Sequence, residues 1–415
     1  MRILHAPRNP ANQAGYLVAA LRRLGHEAEL WDYDENVFSY PADRLIDIRG
    51  GDPTVFWRTF LEAIERFDVL HFHFGRSLFP ADWGGLPPLW DLPLYRILGK
   101  KVVVTWHGSD CRLRRVHLEV NPWSYFKYSS IRPDDDRTQK IVETFRTYAD
   151  QQFVTAPDYL EYVPDAELMP RVIELREWPE QPPEQRDVPV ILHVPTRRGT
   201  KGTELLLAIV ERLRAAGVAF DFRLLEGVPH AEARRAIQAA DIVVDNLITG
   251  DYEVVSIEAM ASSRVAVANL QSASLAAFPA APVYAVDPDN AEARLGDLIA
   301  DVDARRALAA RGRAHVASVH DTEVLAPRLV AAYERPSKAV QPQAFPDWFS
   351  LAPARRIESL ERLLREARWR EMRYRRRLGL PVDAIDDRTL KDRLPMPLRL
   401  FLRRWRARLT QAVRR

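Results

Sequence analysis

The stretch Thr196 to Glu204, "TRRGTKGTE", sets Arg197, Arg198 and Lys201 around Gly199 and Gly202, between an apolar strand-like run and a leucine-rich segment of helical period. A helix start offers unpaired N–H groups and the positive end of its dipole to an anion. Guanidinium and ammonium groups just upstream add charge-assisted bonds to phosphate oxygens. A diphosphate suits this constellation, and the competing reading is a solvated basic loop. It is not a Walker P-loop, because Gly-x4-Gly-Lys-Ser/Thr is absent. Further on, "DNLITGDYEVVSIEAMASS" places Asp245 at a strand end, Gly250 at a turn and Glu258 on the following helix among small residues. A carboxylate one to two turns into a helix that faces a crevice can chelate the two hydroxyls of a ribose.

Histidines form the second group. "VVVTWHGSDCR" ends a strand-like run with His107, Gly108, Ser109, Asp110 and Arg112, and "DVLHFHFGRS" ends another with His71 and His73. Histidines at i and i+2 share one face of a strand. A metal would need a third ligand, and with no carboxylate at a matching spacing, core or hydrogen-bonding histidines are favoured. "RPDDDRT" raises the same question through Asp134, Asp135 and Asp136. It lies in a loop before a helical pattern and reads as an N-cap. No metal is expected. No Gly-x-Ser-x-Gly or Cys/His arrangement supports a hydrolase.

The elements that position these residues repeat. Ile-Leu-His-x-Pro occurs at Ile3 to Pro7 and again at Ile191 to Pro195, and each copy leads into a helix-period stretch. His5 and His193 thus end equivalent strands, either near a cleft floor or simply bonded to backbone. Strands are expected at Arg2–His5, Ala28–Asp32, Val69–Phe74, Val102–His107 and Gln152–Thr155. After Val190 the order is strand, helix 203–216, strand "DFRLLEG", helix 230–239, strand "DIVVDNL", helix 255–262 and strand "VAVANL". Apolar strands separated by amphipathic helices indicate parallel sheets. The fold class is α/β, with two Rossmann-like doubly wound domains facing a cleft and a basic helical C-terminal tail. The expected divisions are 1–170, a Pro-rich linker 171–189, 190–333, and 334–415. At 415 residues, 47% apolar and 28% charged with a net charge of +3, the chain suits a globular protein of two or three domains. No apolar run approaches the roughly 20 residues of a membrane span. No signal peptide is expected, and Cys111 is the only cysteine. A reduced cytoplasmic setting is the expectation.

The order His-x-Pro, Lys-Gly and Glu-Ala-Met-Ala resembles the retaining glycosyltransferases of the GT-B fold, glycosyl transferases group 1. The resemblance spans 1–330 in architecture, and its specific part is 190–270. It implies that Arg197 or Arg198 and Lys201 bind the donor diphosphate beside Gly202, and that Glu258 holds the ribose. It further implies that His107 of the His-Gly-x-Asp segment faces the donor sugar or acceptor, with Arg198 and Lys201 sharing the catalytic role. Gly15, in "NQAG", would let backbone approach the donor. Tyr252 would lie on the donor side, while His5, His73, Asp110, His193 and Asp251 are candidates to touch sugar or acceptor. The family often carries another Glu eight residues before the ribose-binding one, and here that position is Gly250. Asp251, Asp245 or Glu253 are the candidate substitutes. Glu253 stands where a glycine frequently does, and repulsion from a diphosphate predicts that its side chain points elsewhere.

The implied function is metal-independent, retaining transfer from a nucleotide sugar, UDP- or GDP-linked, to a glycan, glycolipid or small-molecule acceptor, with no other cofactor. The alternatives are a non-catalytic nucleotide- or glycan-binding assembly subunit and a nucleotide-sugar epimerase. In residues 396–415, Leu398, Phe401, Leu402, Trp405, Leu409 and Val413 form one face of a helix otherwise rich in arginine. Such a helix suits an anionic membrane surface or a docking site on protein, and nucleic acid is not an expected partner. Peripheral attachment at the inner face of the cell membrane and a cell-envelope polysaccharide precursor as acceptor follow from that tail.

Overall fold

The structure is a computed structural model, and it describes residues 1–33, 40–47, 54–80, 88–181 and 186–339. The tail with its basic face lies outside the described residues. Two parallel sheets organise the rest. The first contains β1 (Arg2–Ala6), β2 (Glu27–Tyr33), β3 (Arg44–Ile46), β4 (Val69–His73), β5 (Lys101–Trp106), β6 (Gln151–Val154) and β7 (Glu167–Leu168), in the order β3-β2-β1-β4-β5-β6-β7. The second contains β8 (Val190–His193), β9 (Asp221–Leu224), β10 (Ile242–Asn246), β11 (Val265–Ala268) and β12 (Val283–Ala285), in the order β12-β11-β10-β8-β9. The central strands read as unbroken apolar runs because helices cover both faces. Every residue of β4, β8, β10 and β11 is buried, whereas the edge strand β9 alternates.

The helices of the first half are α1 (Gln13–Arg23), α2 (Thr54–Arg66), α3 (Leu92–Ile97), α4 (Arg114–Val120) and α5 (Asp135–Tyr148). Those of the second are α6 (Arg198–Lys201), α7 (Thr203–Ala215), α8 (His230–Ala239), α9 (Val254–Ala261), α10 (Ser272–Ala277), α11 (Ala291–Ala300), α12 (Val302–Val319) and α13 (Thr322–Glu334). The aspartate run is a pair of caps. Asp134 accepts the Arg137 N–H at 3.0 Å to start α5, and Asp135 accepts the N–H groups of Arg114 and Arg115 at 2.7 and 2.9 Å at the start of α4.

The strand order reverses beside β1 in one sheet and beside β8 in the other. Crevices of doubly wound sheets open at such switch points, and these are the strands that carry the duplicated Ile-Leu-His-x-Pro. Residues Met1–Val340 form one compact unit because the two halves exchange segments. Tyr125 and Phe126 of the first half are buried among Ile191, Leu206 and Leu247 of the second. In return, α13 sets Leu325, Leu329 and Tyr333 against Ile3, Leu17 and Val103. Lys101 Nζ donates to the carbonyls of Tyr333 and Arg335, closing the C-terminal end of α13.

The short strands β3, β7 and β12 were not among the expected elements. Each has two or three residues, too few for a periodic signal.

Candidate functional site

Lys201 is the centre of the second half's contribution. Gly202, at φ +76°, turns the short α6 into α7 and leaves Lys201 buried. Its Nζ donates to Asp245 Oδ1 at 2.6 Å and to Glu253 Oε2. Asp245 Oδ2 also accepts the Glu253 N–H at 2.7 Å and the Ser256 hydroxyl at 2.8 Å. Burial works against the ammonium charge, but Asp245 and then Glu253 outweigh it and hold the pKa above the usual lysine value. Glu253 therefore does not turn away, as its repulsion from a diphosphate predicted. Its carboxylate points into the site because Lys201 compensates it there. Burial alone would raise its pKa, yet Lys201 and Arg171 bring it down to about 2.

Sequence reasoning missed Arg171, which sits in the segment read as a linker. Its guanidinium is buried and donates to Asp251 Oδ2 at 2.5 Å, to the Tyr252 carbonyl at 2.9 Å and to the Tyr159 hydroxyl at 3.1 Å. It also stands 4.0 Å from Glu253 Oε1. Glu253 is thus bracketed by Lys201 on one oxygen and Arg171 near the other. Nothing in the Pro-rich context of Arg171 distinguishes it from a solvated linker residue. The neighbouring Arg112 is neutralised by Asp158 at 2.8 Å and lies over the rings of Tyr159 and Tyr125.

Of the arginine pair, Arg198 is engaged by Glu226 in a two-point contact (2.8 and 2.7 Å) and by Glu204 at 2.8 Å. Arg197 caps α6, is exposed, and makes no side-chain hydrogen bond or ion pair among the described residues. Glu258 is buried on α9 and accepts from His230 Nε2 at 2.7 Å. That bond raises the His230 pKa against the effect of burial. Tyr40 of the first half stacks edge-on to His230 with ring centres 5.7 Å apart. His230, at the start of α8, is a second residue that sequence reasoning missed.

Gly250 adopts φ +99°, and a Cβ there would stand 2.9 Å from Gln271 Cγ and 3.1 Å from Asn121 Nδ2. Asn121 itself donates to the Ile248 carbonyl at 3.2 Å. The position of the absent Glu is therefore filled by neighbours from both halves. Asp251 is tied to Arg171 and accepts from Ser274 at 2.7 Å, so it stiffens the loop. Tyr252 directs its hydroxyl inward to His320 Nε2 at 2.9 Å and leaves only its carbonyl to Arg171.

The first half brings imidazoles. His107 follows β5, where Asp110 accepts from the N–H groups of His107 (3.0 Å) and Gly108 (2.7 Å). Asp110 is thereby spent on shaping the turn, and burial pushes its pKa up to about 6. Gly108, at φ +127°, permits a close approach, since a Cβ there would lie 2.6 Å from the Tyr159 hydroxyl. His107 Nε2 meets His73 Nδ1 at 3.0 Å, and His73 Nε2 meets His5 Nδ1 at 2.9 Å. His5 Nε2 meets the Tyr333 hydroxyl at 3.1 Å, which meets His71 Nδ1 at 2.6 Å, and His71 Nε2 meets Thr105 Oγ1 at 2.7 Å. Strand register explains the alignment, because His5 pairs with His71, and His73 with Thr105. His5 supplies the third nitrogen that a metal reading of His71 and His73 required, all three lying within 4.8 Å. The rings of His71 and His73 are nearly parallel (13°, centres 4.6 Å apart), so their in-plane lone pairs run side by side. That arrangement suits a hydrogen-bond chain better than convergence on an ion.

His193, the counterpart of His5, is closed on itself. Its Nδ1 donates to the Val244 carbonyl at 2.7 Å, and its Nε2 accepts from Thr203 at 2.9 Å. Burial lowers its pKa to about 4. Gly15 lies beneath Asn12, whose Oδ1 would be 2.2 Å from a Cβ there. The N–H groups of Ala14 and Gly15 already reach Asn9 Oδ1 at 3.1 and 3.2 Å.

Two parallel doubly wound sheets, with switch points on either side of a shared cleft and a last helix returned to the first sheet, define a GT-B fold. The structure is similar to sucrose-phosphate synthase from Thermosynechococcus elongatus, at 15% identity and TM-score 0.58, covering 80% of this chain and 97% of that one. An alpha-glucosyltransferase in complex with UDP-glucose and DNA containing an abasic site matches at 10% identity and TM-score 0.53, covering 80% and 98%. The catalytic domain of starch synthase IV from Arabidopsis thaliana, bound to ADP and acarbose, matches at 12% identity and TM-score 0.50, covering 80% and 98%. The likeness is one of fold. No protein-family model matches the chain, and no curated protein sequence does.

Proposed function

We propose that the chain is a glycosyltransferase that moves a sugar from a UDP- or GDP-linked donor to a glycan, glycolipid or small-molecule acceptor, with retention of configuration and without a metal ion. The observation that carries the reading is the Glu253 carboxylate held between Lys201 and Arg171. Two buried cations converge there on one anionic position, and Glu253 stands in for the phosphate that a donor would place between them. Donor entry displaces it. Arg197 and the start of α7 border the same loop and add charge and N–H donors, while Arg198 is committed to Glu226 and Glu204. Glu258 takes the ribose hydroxyls when His230 yields its hydrogen bond. UDP-glucose and ADP in two proteins of this fold are in keeping with such a donor.

In the reaction the bond from the sugar's anomeric carbon to the phosphate oxygen breaks, and its electron pair goes to the leaving nucleoside diphosphate. The acceptor hydroxyl bonds to the anomeric carbon from the same face, and its proton passes to the leaving phosphate oxygen. Lys201, Arg171 and Arg197 stabilise the developing phosphate charge in place of a metal. His107 faces the sugar.

One observation favours a non-catalytic nucleotide-binding subunit instead. Gly250 leaves no room for the usual carboxylate, and Lys201 is already neutralised. The deciding experiment incubates the full chain with UDP-, GDP- and ADP-sugars and measures release of nucleoside diphosphate, with Lys201→Ala and His107→Ala alongside. The reading expects release from one donor and its loss in both variants; binding without release favours the subunit. Among the described residues no helix is long and apolar enough to cross a membrane. Attachment through residues 396–415 to an anionic membrane face, and a lipid-linked acceptor there, belong to the same proposal.

A further inference from the structure

We infer that the buried chain from Thr105 to His107 fixes His107 as a hydrogen-bond donor toward the cleft, through Nδ1–H, and that His73 is the residue that positions it. The inference rests on the proposed reaction only for what that donor would meet. Its basis is a count of hydrogens. Burial holds His5, His71, His73 and His107 below the ordinary histidine pKa, so each is neutral and carries one N–H. With the hydroxyls of Tyr333 and Thr105, the chain has six hydrogens for its five contacts. One hydrogen is left over, and it emerges either at an end or at the Tyr333 hydroxyl, whose oxygen can accept from both neighbours.

Three arrangements satisfy every contact. The one in which the Tyr333 oxygen accepts from both His71 and His5 leaves the Tyr333 hydrogen buried without an acceptor among the described residues, and two remain. In one, Thr105 donates to His71 Nε2, His71 Nδ1–H to Tyr333, Tyr333 to His5 Nε2, His5 Nδ1–H to His73 Nε2, and His73 Nδ1–H to His107 Nε2. All four imidazoles are then Nδ1–H tautomers, and the surplus hydrogen is His107 Nδ1–H. In the other, every donor reverses, all four are Nε2–H, and the surplus hydrogen is that of the Thr105 hydroxyl. The ends differ in what surrounds them. Thr105 is 4% exposed, and its hydroxyl has no other hydrogen-bond partner among the described residues. His107 is half-buried, and its Nδ1 has no partner among the described residues. A buried donor without an acceptor is costly, whereas one facing a cleft is met by water or substrate. The adjoining cavity, lined by Gln13, His71, His73, Thr105, His107 and Thr155 among apolar residues, measures about 10 Å³. That is at the lower limit for one water, and the remaining polar lining is already engaged, Gln13 with Val172 and the Thr155 hydroxyl with the Trp106 carbonyl. The first arrangement wins. A neutral His107 with a hydrogen on Nδ1 donates to a sugar oxygen and cannot serve as the base for the acceptor.

The test is 15N–1H correlation of ring nitrogens in the full chain labelled at histidine, at neutral pH and without nucleotide. The expected result is that His5, His71, His73 and His107 all carry hydrogen on Nδ1 alone. Two variants probe the positioning. In His73→Leu the His107 Nε2 contact is lost, and the His107 signal departs from the pure Nδ1–H form. In His73→Asn the side-chain amide can donate to His107 Nε2, and the signal returns. Four Nε2–H signals, or a cationic imidazole at neutral pH, would overturn the inference, as would an unchanged His107 in His73→Leu. Because the readout needs neither nucleotide nor turnover, a failed transferase assay leaves it intact.

Discussion

His5 and His193 occupy the same place in two copies of one short sequence, yet they meet opposite fates. His193 is strapped to Val244 and Thr203 inside its own half. His5 belongs to a chain that runs from α13 to the cleft at His107. The contrast extends to the whole site. The first half faces the cleft with neutral imidazoles whose charge burial has suppressed, and the second half with fully paired ions around Lys201 and Glu258. The difference teaches that equivalent strand ends do not imply equivalent roles. Neighbouring strands decide them. β4 presents His71 and His73 beside His5, whereas β10 pairs Val244 with His193 and bonds the imidazole through the Val244 carbonyl.

The largest effect that would break this picture lies at Lys201. Lys201→Ala leaves Asp245 and Glu253 in the site without their cation, and losing one partner of a buried pair costs about 3–5 kcal/mol. Denaturant unfolding should show that loss, and calorimetry the disappearance of nucleotide binding. Next comes the split between the two halves. His107→Ala should lower turnover on the order of 100-fold, the cost of removing one preorganised donor, with little change in unfolding. His193→Phe should do the reverse. It strands the Val244 carbonyl and the Thr203 hydroxyl at about 1–3 kcal/mol, while nucleotide affinity stays at the wild-type value. Equal effects of the two variants on turnover would erase the distinction.

The smallest effect is a pH dependence. Glu258 raises the His230 pKa above its ordinary 6.5. The pair's contribution is therefore complete below pH 6.5, where His230 is charged in folded and unfolded chains alike, and is lost as pH rises through the folded value. Because His230 is partly exposed, the amplitude should be less than about 1 kcal/mol. His230→Ala should flatten that decline in an unfolding series above pH 6.5.

The central strands and helices α1, α2, α7, α8 and α9 were legible because buried parallel strands read as apolar runs and covering helices as amphipathic ones, whereas α11, α12 and α13 were not among the expected elements. The cap at Asp134 was legible for a local reason, since Asp at a helix start bonds within a few residues, whereas Asp135 caps α4 from about twenty positions away and was not. Lys201 and Glu258 could be singled out by type and spacing. What the sequence concealed was long-range. Arg171 meets Asp251 across 80 positions and Tyr333 meets His5 across 328, with no periodicity to announce either. The side-chain direction of Glu253 was misjudged because the repulsion argument assumed a bound diphosphate and left out Lys201, which already holds the carboxylate.

The central claim is that Glu253 occupies the position of a donor phosphate between Lys201 and Arg171. Calorimetric titration of the wild-type chain and Glu253→Ala with UDP, GDP and ADP tests it most directly. The account predicts that one nucleotide binds, and that Glu253→Ala binds it at least about tenfold tighter, a gain of roughly 1.4 kcal/mol. Weaker binding by Glu253→Ala, or no binding of any nucleotide by either protein, would contradict it.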